Sequence, residues 1–128
     1  MPPVTTALIV ANVAVFLLQM LAPQIVMPFA LWPWNAATMS RGQVDFHGWQ
    51  VVTYGFLHGD LFHLAFNMFA VYMFGGALEL VFGPKRYLNY YLVCVIAAAI
   101  VQLIFARATG GFYPTVGASG GVFGLLLA

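Results

Sequence analysis

Three apolar segments of membrane-spanning length constrain this chain more than any other feature. They cover residues 4–22, 60–82 and 87–106, and a helix needs about 20 residues to cross a bilayer core. The sequence is 63% hydrophobic and only 5% charged, whereas a soluble domain carries about a quarter charged residues. We therefore predict an all-α, polytopic transmembrane helix bundle.

A fourth apolar segment begins at Ser119 and runs to Ala128, which is about half of a membrane span. We expect residues 1–128 to form a single partial membrane domain that is truncated in its fourth helix. The first segment has a rival interpretation as a cleaved signal peptide. Met1-Pro2-Pro3 supplies no basic region, and the apolar run exceeds the usual 7–15 residues, so a retained helix is favoured.

A long loop, residues 23–57, separates the first two helices. It carries helix-interrupting prolines and aromatic rings of the kind found at headgroup level, namely Pro23, Pro28, Pro33, Trp32, Trp34, Trp49 and Tyr54. We predict that the loop lies along the membrane interface. Composition leaves open whether it is functional or a plain connector.

Lys85 and Arg86 form the only basic pair in the chain. The positive-inside rule places this pair in the cytoplasm, and therefore predicts a cytoplasmic N-terminus and an external loop. The formal net charge is only +1, which excludes a nucleic-acid footprint. The expected partners are the lipid bilayer and other membrane proteins, and the oligomeric state is left open.

Polar side chains enter the second apolar segment between His58 and Asn67. Asp60 is a plausible N-cap of this helix, which puts His58 at the helix mouth. His63 and Asn67 are four residues apart, so they project from the same helix face. Polar groups inside a membrane are costly and usually have a function or a partner.

Ser119 is surrounded by small residues that leave its hydroxyl accessible. Gly120 and Gly124 also form a GxxxG step, so helix packing is the competing explanation. By the predicted topology, Ser119 lies at the same membrane face as His63 and Asn67. A hydroxyl nucleophile beside hydrogen-bond donors is the arrangement that acyl transfer requires.

Other chemistry is less well supported. His58 and His63 are also residue types that bind haem or metal ions, but on an ideal helix they would diverge by about 140°, and Cys94 is the only cysteine. We therefore expect no cofactor and no metal. Glu79 is expected to be a structural partner of a basic residue or of backbone amides.

The pattern as a whole resembles the rhomboid family of intramembrane serine proteases. The resemblance rests on the HxxxxHxxxN spacing of His58, His63 and Asn67, on Gly117-Ala-Ser-Gly as a GxSG motif, and on Trp49-Gln50 where the family often has Trp-Arg. It implies that Ser119 is the nucleophile and that His63, Asn67 and the Ser119 amide supply the oxyanion hole. It also implies that His58 supports the site, that Gly117 shapes it, and that the substrate is a transmembrane protein.

Two departures qualify the resemblance. Gln50 stands in place of the usual arginine, which puts the contacts that anchor the loop in question. The family's general base is a histidine on a later membrane helix, and the chain ends before it, so we expect these 128 residues alone not to cleave a substrate. The alternative function is that of a catalytically inactive relative that binds membrane clients; the intact Ser119, His63 and Asn67 argue against it.

Overall fold

Three long helices and one shorter helix make up the frame of the described part of the protein. The computed structural model describes residues 2–32, 47–109 and 116–127, and describes Arg107 and Ser119 by their backbone only. The helices are α1 (Pro3–Leu21), α2 (Leu61–Phe82), α3 (Pro84–Thr109) and α4 (Ser119–Leu127). By length and composition α1, α2 and α3 can each cross a membrane. The prediction of an all-α bundle is confirmed.

The ends of α2 follow local chemistry. Asp60 is its N-cap, with a side-chain oxygen that accepts the His63 N–H at 2.7 Å. Gly83 ends the helix with a φ of 84°, a conformation that favours glycine.

The third helix was expected to begin at residue 87, and this start is wrong. α3 begins at Pro84, because proline is well suited to the first position of a helix. Lys85 and Arg86 therefore belong to the first helical turn, and Gly83 alone separates α2 from α3.

The loop of residues 23–57 is more regular than its prolines suggest. Its described parts form four short helical turns, Pro23–Val26, Met27–Phe29, Gln50–Thr53 and Tyr54–Phe56. Residues 33–46, which include Pro33 and Trp34, lie outside the described residues. Trp49 is half exposed, as expected for an interfacial ring. The same expectation for Tyr54 is wrong, since this side chain is buried and its hydroxyl donates to the Val95 carbonyl at 2.6 Å.

The core lies where α3 and α4 pack against the first two helices. One face of α3 presents a buried row at four-residue spacing, consisting of Tyr87, Tyr91, Val95 and Ala99. Residues at this spacing share a helix face, and this face contributes to a single core cluster with Leu8, Leu64, Val71 and Leu125. The opposite side of α3 is free to face lipid.

Small residues let α3 and α4 approach closely. A Cβ added to Gly120 would lie 2.6 Å from the Ala98 Cβ, and one added to Gly124 would overlap the Cys94 side chain. Ala98 and Cys94 are four residues apart on α3, so the GxxxG step of α4 meets a matching small face. The packing interpretation of Gly120 and Gly124 is therefore correct, and it fixes the helix that begins at Ser119.

Candidate active site

His63 and Asn67 line one cavity between α2 and α4. The cavity has a volume of about 320 Å³, and its remaining walls are Phe66, Val122, Phe123 and Leu126. The Asp60 cap holds the first turn of α2, so both polar side chains leave the helix on the side that faces α4. The predicted shared face of His63 and Asn67 is thus present, and it opens towards the helix that carries Ser119.

Asn67 brings an unsatisfied donor into this cavity. The residue is 3% exposed, and its side-chain Nδ2 has no hydrogen-bond partner within the described part of the chain. A buried polar group without a partner costs about 1 to 3 kcal/mol, so an orphaned amide in an apolar setting needs an explanation. A bound group that accepts a hydrogen bond would supply one.

His58 lies in the segment before α2, outside the helix. Its ring meets the His63 ring edge-on, with centroids 5.1 Å apart and planes at 72°. The ideal-helix expectation that the two imidazoles diverge is therefore wrong, because the helical repeat starts only after Asp60.

The His58 imidazole is buried and neutral. Its Nε2 accepts the Ala118 N–H at 3.4 Å, so Nδ1 carries the ring proton. Burial, and to a lesser extent the charge of His63, together lower the pKa of His58 to about 4. With Nε2 already occupied by a backbone amide, His58 is a poor metal ligand. Among the residues that the structure covers, no three His, Cys, Asp or Glu side chains converge as for a metal ion.

The segment that leads into α4 is held at two consecutive residues. Gly117 donates its N–H to the Tyr54 carbonyl at 3.0 Å and has a φ of 120°, which an L side chain rarely adopts. Ala118 donates to His58, and α4 starts at Ser119. The first N–H groups of a helix have no acceptor within it, so those at the start of α4 must find acceptors outside the helix. The side chain of Ser119 lies outside the description.

Comparison with known proteins identifies the family. The family model of the rhomboid domain matches residues 45–128, which is well over half of the chain. This chain belongs to the rhomboid family. The predicted resemblance is confirmed, and the match includes the His58 to Asn67 stretch and the Gly117 to Gly120 motif.

Individual relatives support the assignment. Rhomboid protease GluP of Bacillus subtilis is 38% identical over 78 residues, which are 61% of this chain and 14% of the relative. Rhomboid protease GlpG of Klebsiella pneumoniae is 29% identical over 125 residues, which are 97% of this chain and 41% of the relative. RHOMBOID-like protein 4 of Arabidopsis thaliana is 37% identical over 79 residues. The chain spans less than half the length of the curated relatives it matches.

Gln50 anchors the loop of this rhomboid chain at the position where the family often has arginine. The side chain is fully buried; its Nε2 donates to the Pro28 carbonyl at 2.9 Å, and its Oε1 accepts the Trp32 N–H at 3.1 Å. One amide therefore ties the two described parts of the loop together across 22 residues. An uncharged side chain can make both contacts without placing a charge in a buried position.

Sequence reasoning missed two residues that hold the site. Tyr54 bonds Gly117 through its carbonyl and α3 through its hydroxyl. Gln19, near the end of α1, bonds the backbone of His58. A polar residue in an apolar helix was the available signal for Gln19, whereas the sequence gives no sign that Tyr54 is buried.

Proposed function

We propose that the full-length protein is an intramembrane serine endopeptidase that cleaves peptide bonds in or near the transmembrane segments of other membrane proteins. In this proposal Ser119 is the nucleophile. His63, Asn67 and the Ser119 backbone amide stabilise the oxyanion, while His58 and Gly117 hold the site in shape. No cofactor takes part.

The observation that carries the proposal is the orphaned amide of Asn67. Nδ2 is buried, unpartnered in the described residues, and part of the cavity that His63 and α4 share. A tetrahedral intermediate formed on Ser119 would carry a negative oxygen, and such an oxygen is what a preorganised donor stabilises. The N–H groups and positive dipole at the start of α4 would act on the same charge.

The reaction also needs a general base. His58 is unsuited, because its Nε2 already accepts a hydrogen bond from Ala118. By the family resemblance the base is a histidine on a membrane helix later than α4. It would take the Ser119 proton during attack and return it to the leaving amine.

Covalent labelling of the full-length protein tests the proposal. A fluorophosphonate should modify Ser119, as identified by mass spectrometry of the peptide. Ser40 and Ser119 are the two serines in these 128 residues, so Ser40→Ala is the matched control and should keep the label. Ser119→Ala should abolish it. Labelling that survives Ser119→Ala would overturn the assignment, and an unlabelled wild type would favour the client-binding alternative.

We also propose that the N-terminus is cytoplasmic and that the loop of residues 23–57 is external. Lys85 and Arg86 support this orientation through the positive-inside rule. Gly48 is a suitable probe position, since an added Cβ meets nothing within 4 Å. In a Cys94→Ala background, Gly48→Cys should react with an impermeant maleimide added to intact cells. Reaction only after permeabilisation would reverse the orientation.

A further inference from the structure

Gln19 of α1 holds the backbone of His58 at two points. Its Nε2 donates to the His58 carbonyl at 2.8 Å, and its Oε1 accepts the His58 N–H at 3.0 Å. The residues are 39 positions apart in the chain. A side-chain amide thus pairs with a backbone unit as a neighbouring strand would, and fixes both the position and the orientation of that peptide.

The residue held by this double hydrogen bond, His58, itself contacts the groups that the proposed chemistry uses. The His58 ring that it positions accepts the N–H of Ala118, which directly precedes Ser119. The same ring packs edge-on against His63 at 5.1 Å. A displacement of the His58 backbone would therefore move two walls of the site together, the start of α4 and the His63 imidazole.

We infer that Gln19 is a positioning residue for the proposed active site, acting through His58 on the Ser119 segment and on His63. The inference rests on the proposed function. It gives α1, which carries none of the motif residues, a direct part in setting the rate of the chemical step. Without the Gln19 contact, a substrate would still bind with its normal affinity, but the chemical step would be slow.

The competing explanation is that Gln19 merely satisfies its own polar group and stabilises the fold. α1 contains a matched control for that effect. Thr5, at the other end of the same helix, is fully buried where Gln19 is partly buried, and its hydroxyl donates to Glu79 at 2.8 Å rather than to a residue of the candidate site. Removing either polar group should weaken the bundle, but only the loss at Gln19 should disturb catalysis.

The test compares Gln19→Leu, Gln19→Glu and Thr5→Val in the full-length protein. For each variant, thermal unfolding determines the folded fraction. The rate constant of fluorophosphonate labelling is then measured, together with kcat and KM on a transmembrane substrate. Gln19→Leu should lower kcat and the labelling rate by about tenfold, as expected for two lost hydrogen bonds that preorganise a site, with KM nearly unchanged. Gln19→Glu keeps the acceptor for the His58 N–H and should fall in between.

Two outcomes would overturn the inference. Wild-type labelling of the folded Gln19→Leu protein would remove the positioning role, and an equal loss in Thr5→Val would reduce it to general stability. Failure of the proposed function looks different, because wild-type protein would then carry no label on Ser119. An NMR spectrum of ¹⁵N-alanine-labelled protein adds a readout independent of catalysis, in which the Ala118 amide should shift in Gln19→Leu and stay in place in Thr5→Val.

Discussion

The carboxylate of Glu79 on α2 accepts two hydrogen bonds from Thr5 on α1, one from its backbone N–H at 2.7 Å and one from its hydroxyl at 2.8 Å. The second carboxylate oxygen accepts the Val4 N–H at 2.9 Å. Glu79 therefore caps the first turn of a different helix, where unpaired N–H groups and the helix dipole favour a negative charge. Of the two partners expected from sequence, the backbone amides are the correct one.

Replacement of the Glu79 carboxylate should lower the stability of the protein and leave the reactivity of its folded fraction unchanged. Glu79→Gln keeps the shape but loses the charge and turns one acceptor into a donor that faces N–H groups. We expect a loss of about 2 to 3 kcal/mol in the free energy of unfolding, since hydrogen bonds to charged groups contribute about 1.5 to 3 kcal/mol each. Thermal unfolding in detergent measures it. The rate of fluorophosphonate labelling of the folded fraction should remain at the wild-type value. A stability change below about 0.5 kcal/mol, which is the usual range for surface substitutions, would contradict the capping role.

The contact between Gly120 and Ala98 predicts a compensating pair. Gly120→Ala places a methyl group where the Ala98 Cβ already lies 2.6 Å away, and overpacking of this kind costs about 1 to 3 kcal/mol. Adding Ala98→Gly should restore most of the lost stability, which a double-mutant cycle would report as a coupling energy between neighbours. Strictly additive effects would mean that the two helices do not meet at this point.

Local signals in the sequence were sufficient for the presence of the membrane-spanning helices, for the ends of α2 and for the motif. Asp60 and Gly83 mark the ends of α2 through their own backbone chemistry, and a four-residue spacing is enough to put His63 and Asn67 on one face. These features depend on residues close together in the chain. They are therefore readable without knowledge of tertiary contacts.

The contacts that hold the site join residues that are far apart in the chain. Gln19 reaches His58 across 39 positions, and His58 reaches Ala118 across 60. No periodicity connects such residues, and the ideal-helix geometry applied to His58 failed because His58 precedes the cap. Sequence patterns thus identify the candidate reacting groups, whereas the positioning groups emerge only from the packed structure.

Removal of the Asn67 amide should cost activity without costing stability. Asn67→Leu replaces a buried amide, whose Nδ2 has no partner among the described residues, with an apolar group of similar size, so the free energy of unfolding should be unchanged or higher. Turnover by the full-length protein should fall by about 10²- to 10³-fold, the usual effect of losing one oxyanion donor. His63→Ala should lower turnover to a similar extent. Substrate cleavage assays and thermal unfolding of the same samples measure the two effects, and full turnover in Asn67→Leu would assign Asn67 to packing.

The buried, neutral His58 predicts a loss of stability in mild acid. Its pKa in the folded protein is lowered to about 4 from the usual 6.5 of a histidine, so between these values the unfolded chain binds a proton that the folded protein does not. The stability linked to His58 is therefore complete above about pH 6.5 and is lost as the pH falls towards 4. Protonation of Nε2 would also break the hydrogen bond from Ala118. Unfolding midpoints measured from pH 7.5 to 4.5 should fall in the wild type, together with the rate of Ser119 labelling.

The matched variant for this titration is His58→Gln. A glutamine oxygen can accept the Ala118 N–H but does not titrate, so its stability should vary less with pH in this window. The remaining slope reports the other groups of the protein, and only the difference between the two proteins belongs to His58. Equal slopes would mean that His58 is protonated in the folded state without penalty. In that event the Ala118 contact could not be a hydrogen bond accepted by a neutral imidazole, and the link from the loop to the Ser119 segment would have to be carried by Tyr54 and Gly117 alone.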